Sequence, residues 1–370
     1  MSAALIDLVS KGVQDVYITG QPEVSFFRQN YKRHTNFALK PERLDYIGTF
    51  GSNNEVSIPI PNKGDLLGYV WIEAPGIARN GTNTTGFFSE DVASLTEFSL
   101  WIGGQQVVTL DGLFIQGVHN LLYNADSSRA ACAPLTNYFP AQAQGVASGS
   151  ADHYVIPFFF SEDLTKVLPL IGIKFHEVEI RVKCRAGFVP ANSPKVFATY
   201  FYVDTDERSY FMERDHELLI QQVQYQMAAP GETEFDLTYF NHPCKAVHLV
   251  SSSANGSAWN DEYTFDRSSL YINGTTLFEN MSNVFHHTVV PQMHTTVLPL
   301  GLQYQPTYTW PFCLSLNKQQ PTGSLNFSRI DNAKLVVSSP NGGGNIVRVY
   351  AVNYNVLRIK RGMAGIAYSN

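Results

Sequence analysis

The stretch "HEVEIRVKC", residues 176–184, alternates apolar and charged side chains without a break. Apolar residues occupy the even positions 178–184, and charged residues occupy the odd positions 177–183. Successive side chains of a β-strand point to opposite faces, so this two-residue period is typical of a strand with one face in a core. We therefore predict a half-buried strand here.

The same alternation recurs along the chain, whereas helix signals are few and short. Residues 4–13 and 161–172 are the two short helical candidates, and Ser161 resembles an N-cap in the second. The further strand candidates are "NNEVSIPIP" (53–61), "TEFSLWIGG" (96–104), "ETEFDLTYF" (232–240, with Phe235, Leu237 and Tyr239 on one face) and "NIVRVYAVNYNVLRI" (345–359). The pattern predicts an all-β, mostly antiparallel protein.

Length and charge restrict the architecture and the class of partner. A chain of 370 residues with 44% hydrophobic residues is long enough for two domains, each with its own core. The formal net charge of −6 and the pI of about 5.9 argue against a large face that neutralises nucleic-acid phosphates. We expect two sandwiches or barrels that bind no nucleic acid sequence-specifically.

The densest charge in the chain, residues 204–217, marks the expected boundary between two halves. The halves resemble each other weakly, because "IPFFFSED" from Ile156 and "WPFCLSLN" from Trp310 each precede a turn-rich passage and then a strand. This similarity suggests a duplication. We predict an N-terminal extension (1–15), a first domain (16–210), a linker (211–217) and a second domain with a C-terminal tail (218–370).

Signals for catalysis, cofactors or metals are weak. His286, His287 and His294 could supply metal ligands, but no carboxylate or cysteine cluster accompanies them, and loop histidines are the favoured reading. Cys132, Cys184, Cys244 and Cys313 are far apart and lack a CxxC spacing, so isolated reduced thiols are favoured over two bridges. We expect no enzyme, no cofactor and no metal site.

Basic and aromatic residues interleave in "FFRQNYKRHTNFA", residues 26–38. Arg28, Lys32, Arg33 and His34 lie among phenylalanines and a tyrosine, a combination that can bind single-stranded nucleic acid. The acidic net charge and the shortness of the stretch favour a packing or subunit-contact role instead.

Five stretches in the same order resemble the major capsid proteins of large nucleo-cytoplasmic double-stranded DNA viruses. The first begins "GVQDVYITGQPEVSFFRQNYKRH" and the third is "DTDERSYFMERDHELLIQQVQ". The five stretches cover residues 12–38, 156–180, 204–224, 311–335 and 353–370.

The resemblance implies two tandem eight-stranded antiparallel jelly rolls with short helices in loops. It further implies a homotrimer with a pseudo-hexagonal outline, which tiles an icosahedral shell in the virion after assembly inside the host cell. Neighbouring capsomers and minor capsid or penton proteins would be its partners. An internal viral membrane would lie adjacent without being penetrated.

The expected assembly residues fall at three places. Leu5 and Ile6 belong to a short apolar helix that would dock on neighbouring proteins, and the basic residues of 26–38 would contact subunits. Arg329 and Asp331 share a predicted strand face, where they would form a partly buried pair or bind across a domain or subunit boundary. Outward loops are expected at 75–91 and 141–152.

Other functions remain open at this point. The chain is shorter than is common in this family, which is compatible with a minor capsid paralogue of the same fold. A glycan-binding jelly-roll attachment protein fits the aromatic-rich loops, because a fold does not fix a function. A jelly-roll enzyme of the cupin type would need a cluster of His and carboxylate ligands that the sequence lacks.

Overall fold

A computed structural model describes most of the chain as strands joined by turns and short helices. Residues 1–36 and 37–370 form two separate units, and the strands all lie in the second unit. The described residues are 7–77, 86–87, 95–123, 151–229, 231–251, 263–296, 307–341 and 347–369.

The first eight strands form two four-stranded antiparallel sheets. One sheet has the order β1-β8-β3-β6 and the other has the order β2-β7-β4-β5. The strands are β1 Phe37–Leu44, β2 Glu55–Ile60, β3 Leu66–Pro75, β4 Glu97–Ile102, β5 Gln105–Asp111, β6 Ala151–Ile156, β7 Val178–Lys183 and β8 Lys195–Val203. Strands of the two sheets alternate along most of this part of the chain, so the chain crosses repeatedly from one sheet to the other. We call this sandwich roll 1.

The remaining strands repeat the same plan in roll 2. One sheet contains β9-β17-β11-β14 and the other contains β10-β16-β12-β13, while β15 and β18 are short additions beside β11 and β17. The strands are β9 His216–Ala228, β10 Glu234–Asp236, β11 Pro243–Ser251, β12 Arg267–Ile272, β13 Thr275–Ser282, β14 Thr307–Pro311, β15 Leu325–Asn326, β16 Ala333–Ser338, β17 Val347–Lys360 and β18 Met363–Ile366. The identical strand order supports the duplication. The protein is an all-β double jelly roll.

Short helices follow equivalent strands in the two rolls. In roll 1, helix α2 (Gly112–Phe114) continues as a π-helix at Ile115–Tyr123 directly after β5. In roll 2, a π-helix at Phe285–Val289 continues as α5 (Val290–His294) after β13. Helix α1 covers Val16–Thr19.

The helix predicted over 161–172 is wrong in its start and its cap. Helix α3 spans Phe159–Glu162, so Ser161 lies inside it, and two 3₁₀ turns follow at Leu164–Lys166 and Leu170–Gly172. Asp163 is the residue that caps, because its side chain accepts a hydrogen bond from the Thr165 N–H.

The charged stretch 204–217 is largely helical. Helix α4 (Thr205–Glu213) begins where the Asp204 side chain accepts a hydrogen bond from the Glu207 N–H at 2.9 Å. Two acids in the first turn favour this start, since they face the positive end of the helix dipole. The helix joins β8 to β9, and the exact domain limits stay a prediction.

The alternating patterns predict burial correctly in β2, β4 and β7. Val178, Ile180 and Val182 of β7 are buried, and the Gly103-Gly104 turn after β4 uses positive φ angles of 57° and 77° that glycine adopts without strain. The pattern fails at Tyr239, which is 75% exposed because β10 ends at Asp236.

A buried ion pair joins the two rolls. Asp111, the last residue of β5, accepts a hydrogen bond from the Phe114 N–H at 2.7 Å and so begins α2. Its carboxylate also accepts hydrogen bonds from Arg348 Nη1 at 2.6 Å and from the Tyr350 hydroxyl at 2.8 Å. All three side chains are buried.

The pKa values of Arg348 and Tyr350 depend on burial and on the Asp111 charge. Burial alone would lower the pKa of Arg348, but the charge and hydrogen bond of Asp111, together with Tyr350 and Tyr225, outweigh it and raise that pKa above its ordinary value. Burial, together with Asp111, raises the pKa of Tyr350. Both groups therefore keep their protons throughout the physiological pH range.

We expect Asp111→Asn to lower the free energy of unfolding by about 3–5 kcal/mol, because it leaves the buried Arg348 without a counter-charge. Urea unfolding of the purified protein measures the change. Glu217→Gln is the control, since the Glu217–Arg358 pair is exposed and is worth at most about 1 kcal/mol. Equal effects of the two substitutions would contradict a joint that depends on this pair.

Candidate functional site

A polar cluster at the joint connects α3 of roll 1 with the 312–324 turn region of roll 2. Lys166 Nζ donates to the side-chain oxygen of Gln319 at 3.0 Å and to its backbone oxygen at 3.3 Å. Gln319 in turn donates to Glu162 at 3.1 Å, and His119 contacts the other Glu162 oxygen. Each charged group meets an opposite charge or a hydrogen-bond partner, so the cluster is a bridge between rolls.

The pKa shifts within this polar cluster agree with a structural role. Burial lowers the pKa of Lys166, although Glu162 opposes the shift. Burial raises the pKa of Glu162, but His119 and Gln319 reverse the balance and leave it below its ordinary value. The cavity beside His119, Tyr123 and Glu162 is only about 20 Å³, whereas ligand pockets are roughly 300–1,000 Å³.

A second buried contact pairs Tyr123 of roll 1 with His248 of roll 2. The tyrosine hydroxyl and His248 Nε2 are 2.8 Å apart, and His248 Nδ1 is 2.9 Å from Thr309 Oγ1. Burial lowers the pKa of His248 to about 3 and that of nearby Lys245 to about 8. His248 is therefore neutral with both ring nitrogens engaged, which leaves it no free nitrogen to act as a base.

The three histidines weighed as metal ligands lie against backbone carbonyls of the edge strand β14 and of the residues that follow it. Nδ1 of His286 lies 3.0 Å from the Thr309 carbonyl, and Nδ1 of His287 lies 3.2 Å from the Thr307 carbonyl. His294 makes the same contact with the Cys313 carbonyl at 2.9 Å. The loop interpretation of the adjacent pair is wrong, since both residues belong to the π-helix.

Within the described ranges no group of three or more His, Cys, Asp or Glu side chains could hold a metal ion. Cys184, Cys244 and Cys313 are free and buried, and burial raises the pKa of Cys184 to about 11. Cys132 lies outside the described residues. Over the same ranges no helix is long and apolar enough to cross a membrane.

The predicted N-terminal contacts belong to the separate unit 1–36. Leu5 and Ile6 lie outside the described residues. Arg28, Lys32 and Arg33 are exposed and outside regular secondary structure, and His34 Nδ1 is 2.8 Å from the Thr35 carbonyl. Every described residue from 7 to 36 is exposed, including the aromatic ones.

Arg329 and Asp331 do not share a strand face. Asn326 ends β15, and its side chain accepts a hydrogen bond from the Ser328 N–H at 3.0 Å, which starts a 3₁₀ turn at Phe327–Arg329. Both charged residues are exposed, and no ion pair joins them. The expectation of a buried pair is wrong because the Asn326 cap breaks the strand alternation. The expected outward loops at 75–91 and 141–152 fall mostly outside the described residues.

Sequence reasoning missed an aromatic surface on the β1-β8-β3-β6 sheet, on the side facing away from the core of roll 1. Phe37 and Leu39 are 53% and 55% exposed, and Tyr69 is 40% exposed. Trp71 stacks on Phe197 with 5.3 Å between ring centroids. The available signal was the aromatic run "KVFATYFYV" of β8, which is apolar on both faces. We call these residues, with Phe201, the outer face of roll 1.

Two family models together match nearly the whole chain. Residues 25–207 match the one described as the major capsid protein N-terminus, and residues 207–365 match the large eukaryotic DNA virus major capsid protein. The major capsid protein of Pyramimonas orientalis virus is 29% identical over 415 residues, and that of Paramecium bursaria Chlorella virus 1 is 28% identical over 449 residues. Both alignments cover 100% of either chain.

Solved structures agree with the sequence matches. A chain of the quasi-atomic model of the PBCV-1 virus capsid has a TM-score of 0.74 and 25% identity, covering 94% of this chain and 100% of that one. The Faustovirus major capsid protein, at 11% identity and a TM-score of 0.66 over 95% of each chain, shares the fold. The chain belongs to the major capsid protein family of large eukaryotic DNA viruses and is a structural protein of the virion capsid.

Proposed function

We propose that three copies of this chain form a trimeric capsomer, and that these capsomers tile an icosahedral shell as its major, non-enzymatic subunit. The observation that carries the proposal is the repeated strand order of the two rolls. Two equivalent rolls in each chain give six in a trimer, which yields a pseudo-hexagonal outline. Such a unit tiles a surface with six near-equivalent neighbours.

The interior chemistry supports a shell role. The polar clusters between the rolls are held by hydrogen bonds and opposite charges, and they link α3, β11 and β17 rather than open onto a cleft. A shell subunit needs a rigid joint of this kind, because both rolls have to present their surfaces in fixed positions. The repeated strand order also supports our proposal that the chain is divided into an N-terminal extension, two rolls and a linker.

The N-terminal unit supplies the proposed contact with neighbouring capsomers and with minor capsid or penton proteins. Leu8 and Val9 are each 81% exposed, and Val13 and Ile18 are each 89% exposed. Leu5 and Ile6 extend the same apolar sequence. Apolar side chains this exposed in a short segment are typical of a segment that docks on a partner. An internal viral membrane would lie nearby without being entered.

Light scattering of the purified protein should give a mass near three times 41.2 kDa. Negative-stain images should show hexagonal outlines, since six sandwiches with sheets about 10 Å apart surround one axis. A monomer at all concentrations would contradict the proposal, and a monomer that bound glycan arrays would favour an attachment protein.

Deleting residues 1–12 should leave trimers intact and reduce assembly of shells, because the apolar docking segment is removed. Electron microscopy of assembly reactions measures the yield. Leu8→Asp should reproduce the defect, and Ser10→Asp, which adds the same charge two residues away, should not. Failure of the deletion variant to form trimers would place the segment inside the capsomer instead.

Arg329→Ala should change the free energy of unfolding by no more than about 0.5 kcal/mol, since the side chain is exposed and makes no ion pair with Asp331. If Arg329 contributes to a subunit boundary, its substitution changes the yield of assembled shells and leaves the free energy of unfolding unchanged. Comparing shell yield for Arg329→Ala and Arg329→Lys tests that role. Large destabilisation would show that the side chain is buried after all.

A further inference from the structure

Lys166 of roll 1 and Gln319 of roll 2 are in contact across the joint, although they are 153 positions apart in the chain. Lys166 ends the 3₁₀ turn Leu164–Lys166, and Gln319 lies in the 312–324 turn region. Lys166 Nζ donates to Gln319 Oε1 at 3.0 Å, so the amine already touches an amide group that it can attack. Two groups held in contact by the fold react without the entropy cost of an encounter.

Backbone contacts fix both residues in place. The Lys166 N–H donates to the Asp163 carbonyl at 3.0 Å and so closes its turn. On the other side, Lys166 Nζ also donates to the backbone oxygen of Gln319 at 3.3 Å. The neighbouring carbonyl of Lys318 accepts a hydrogen bond from Lys245 Nζ at 3.3 Å. The two side chains therefore meet between two anchored turns, and little freedom is left to lose when they react.

Glu162 places a base beside the amide nitrogen. Its Oε2 accepts a hydrogen bond from Gln319 Nε2 at 3.1 Å, while its Oε1 contacts His119. Burial alone would raise the pKa of Glu162, but its polar neighbours, His119 above all, outweigh burial and leave that pKa below its ordinary value. Glu162 is therefore a carboxylate at neutral pH. A general base has to lie within hydrogen-bond reach of the group that it serves, and Glu162 meets this condition at Nε2.

Little water reaches these groups. Lys166 is 7% exposed, and the Glu162 side chain is 18% exposed. Burial lowers the pKa of Lys166, although Glu162 and Asp163 oppose the shift, and burial thereby favours the neutral amine that acts as a nucleophile. A cavity of about 20 Å³ adjoins Glu162, with Pro157 and Phe159 in its wall. The cavity has room for about one molecule the size of water, and ammonia is of that size.

We propose that Lys166 and Gln319 react with each other to form an isopeptide bond, so that the two rolls of each chain are joined covalently. Lys166 Nζ forms a bond to Gln319 Cδ, and the bond from Cδ to Nε2 breaks, its electron pair leaving with the nitrogen. Glu162 takes the proton that Nζ loses and returns it to Nε2, which departs as ammonia. An amine and an amide thus give a new amide and ammonia, so the reaction needs no oxidant and no co-reactant.

The bond forms once in each chain and needs no second copy, so it does not depend on the trimer proposed above. It makes permanent a bridge that hydrogen bonds otherwise maintain. A cross-link between residues 153 positions apart restricts the unfolded chain, and it therefore stabilises the subunit against separation of its two rolls.

Intact-mass spectrometry of the full folded chain tests for the bond. The chain should be lighter than its calculated mass by about 17 Da, the mass of one ammonia. Tryptic digestion should yield a branched peptide in which residues 319–329 are attached to Lys166. A folded chain at its full calculated mass, or a mass loss without the branched peptide, would overturn the proposal.

Matched substitutions identify the reacting groups. Gln319→Met removes the amide, and Lys166→Arg removes the nucleophile while keeping its charge, so neither variant should lose ammonia. Gln320→Met is the control, because it makes the same change at the exposed neighbouring residue and should leave the mass loss intact. In chains isolated in urea and then refolded, Glu162→Gln should slow the mass loss about a hundredfold or more, since the general base is gone. A mass loss in Gln319→Met or Lys166→Arg, or wild-type kinetics in Glu162→Gln, would contradict the assigned reaction.

Discussion

The packing of the segment after β5 on the outer face of roll 2 is the contact on which the rest of the structure depends. Asp111 starts that segment through the Phe114 N–H and fixes it to β17 through Arg348 and Tyr350. A charge buried this way is favourable only while its partners are in place. Folding of the segment and docking of the second roll are consequently coupled. The hydrophobic core of roll 1, with Leu110 and Phe114, extends across the joint to Val352 of β17, while roll 2 also has a separate core of its own.

Much of the fold follows from local pattern. The two-residue period in β2, β4 and β7 locates strands because burial of one sheet face imposes it. The similarity of the residues that follow Ile156 and Trp310 indicates the duplication. Ile156 is the last residue of β6, and Trp310 is the last but one of the equivalent strand β14. Family membership could be inferred from five stretches in order. The capsid role was therefore predictable, although no catalytic or metal motif pointed to a function.

The joint and the site details could not be predicted in this way. Asp111 and Arg348 are brought together only by the packing of two domains, so no local period reveals them. The buried histidines illustrate the same limit. Their hydrogen bonds to β14 carbonyls depend on a π-helix, and no residue spacing in the sequence predicts that helix. Arg329 and Asp331 fail for a local reason, because the Asn326 side chain starts a turn where alternation predicts a strand.

The joint at Asp111 holds the two rolls of one chain in fixed relative positions, and the proposed capsomer is a ring of six such rolls. An electron cryo-microscopy map of the purified capsomer at side-chain resolution tests this most directly. The account predicts three chains around one axis, with Asp111 against Arg348 and Tyr350 in every chain. A map in which Asp111 is separated from Arg348, or in which the chains do not form a closed trimer, would contradict it.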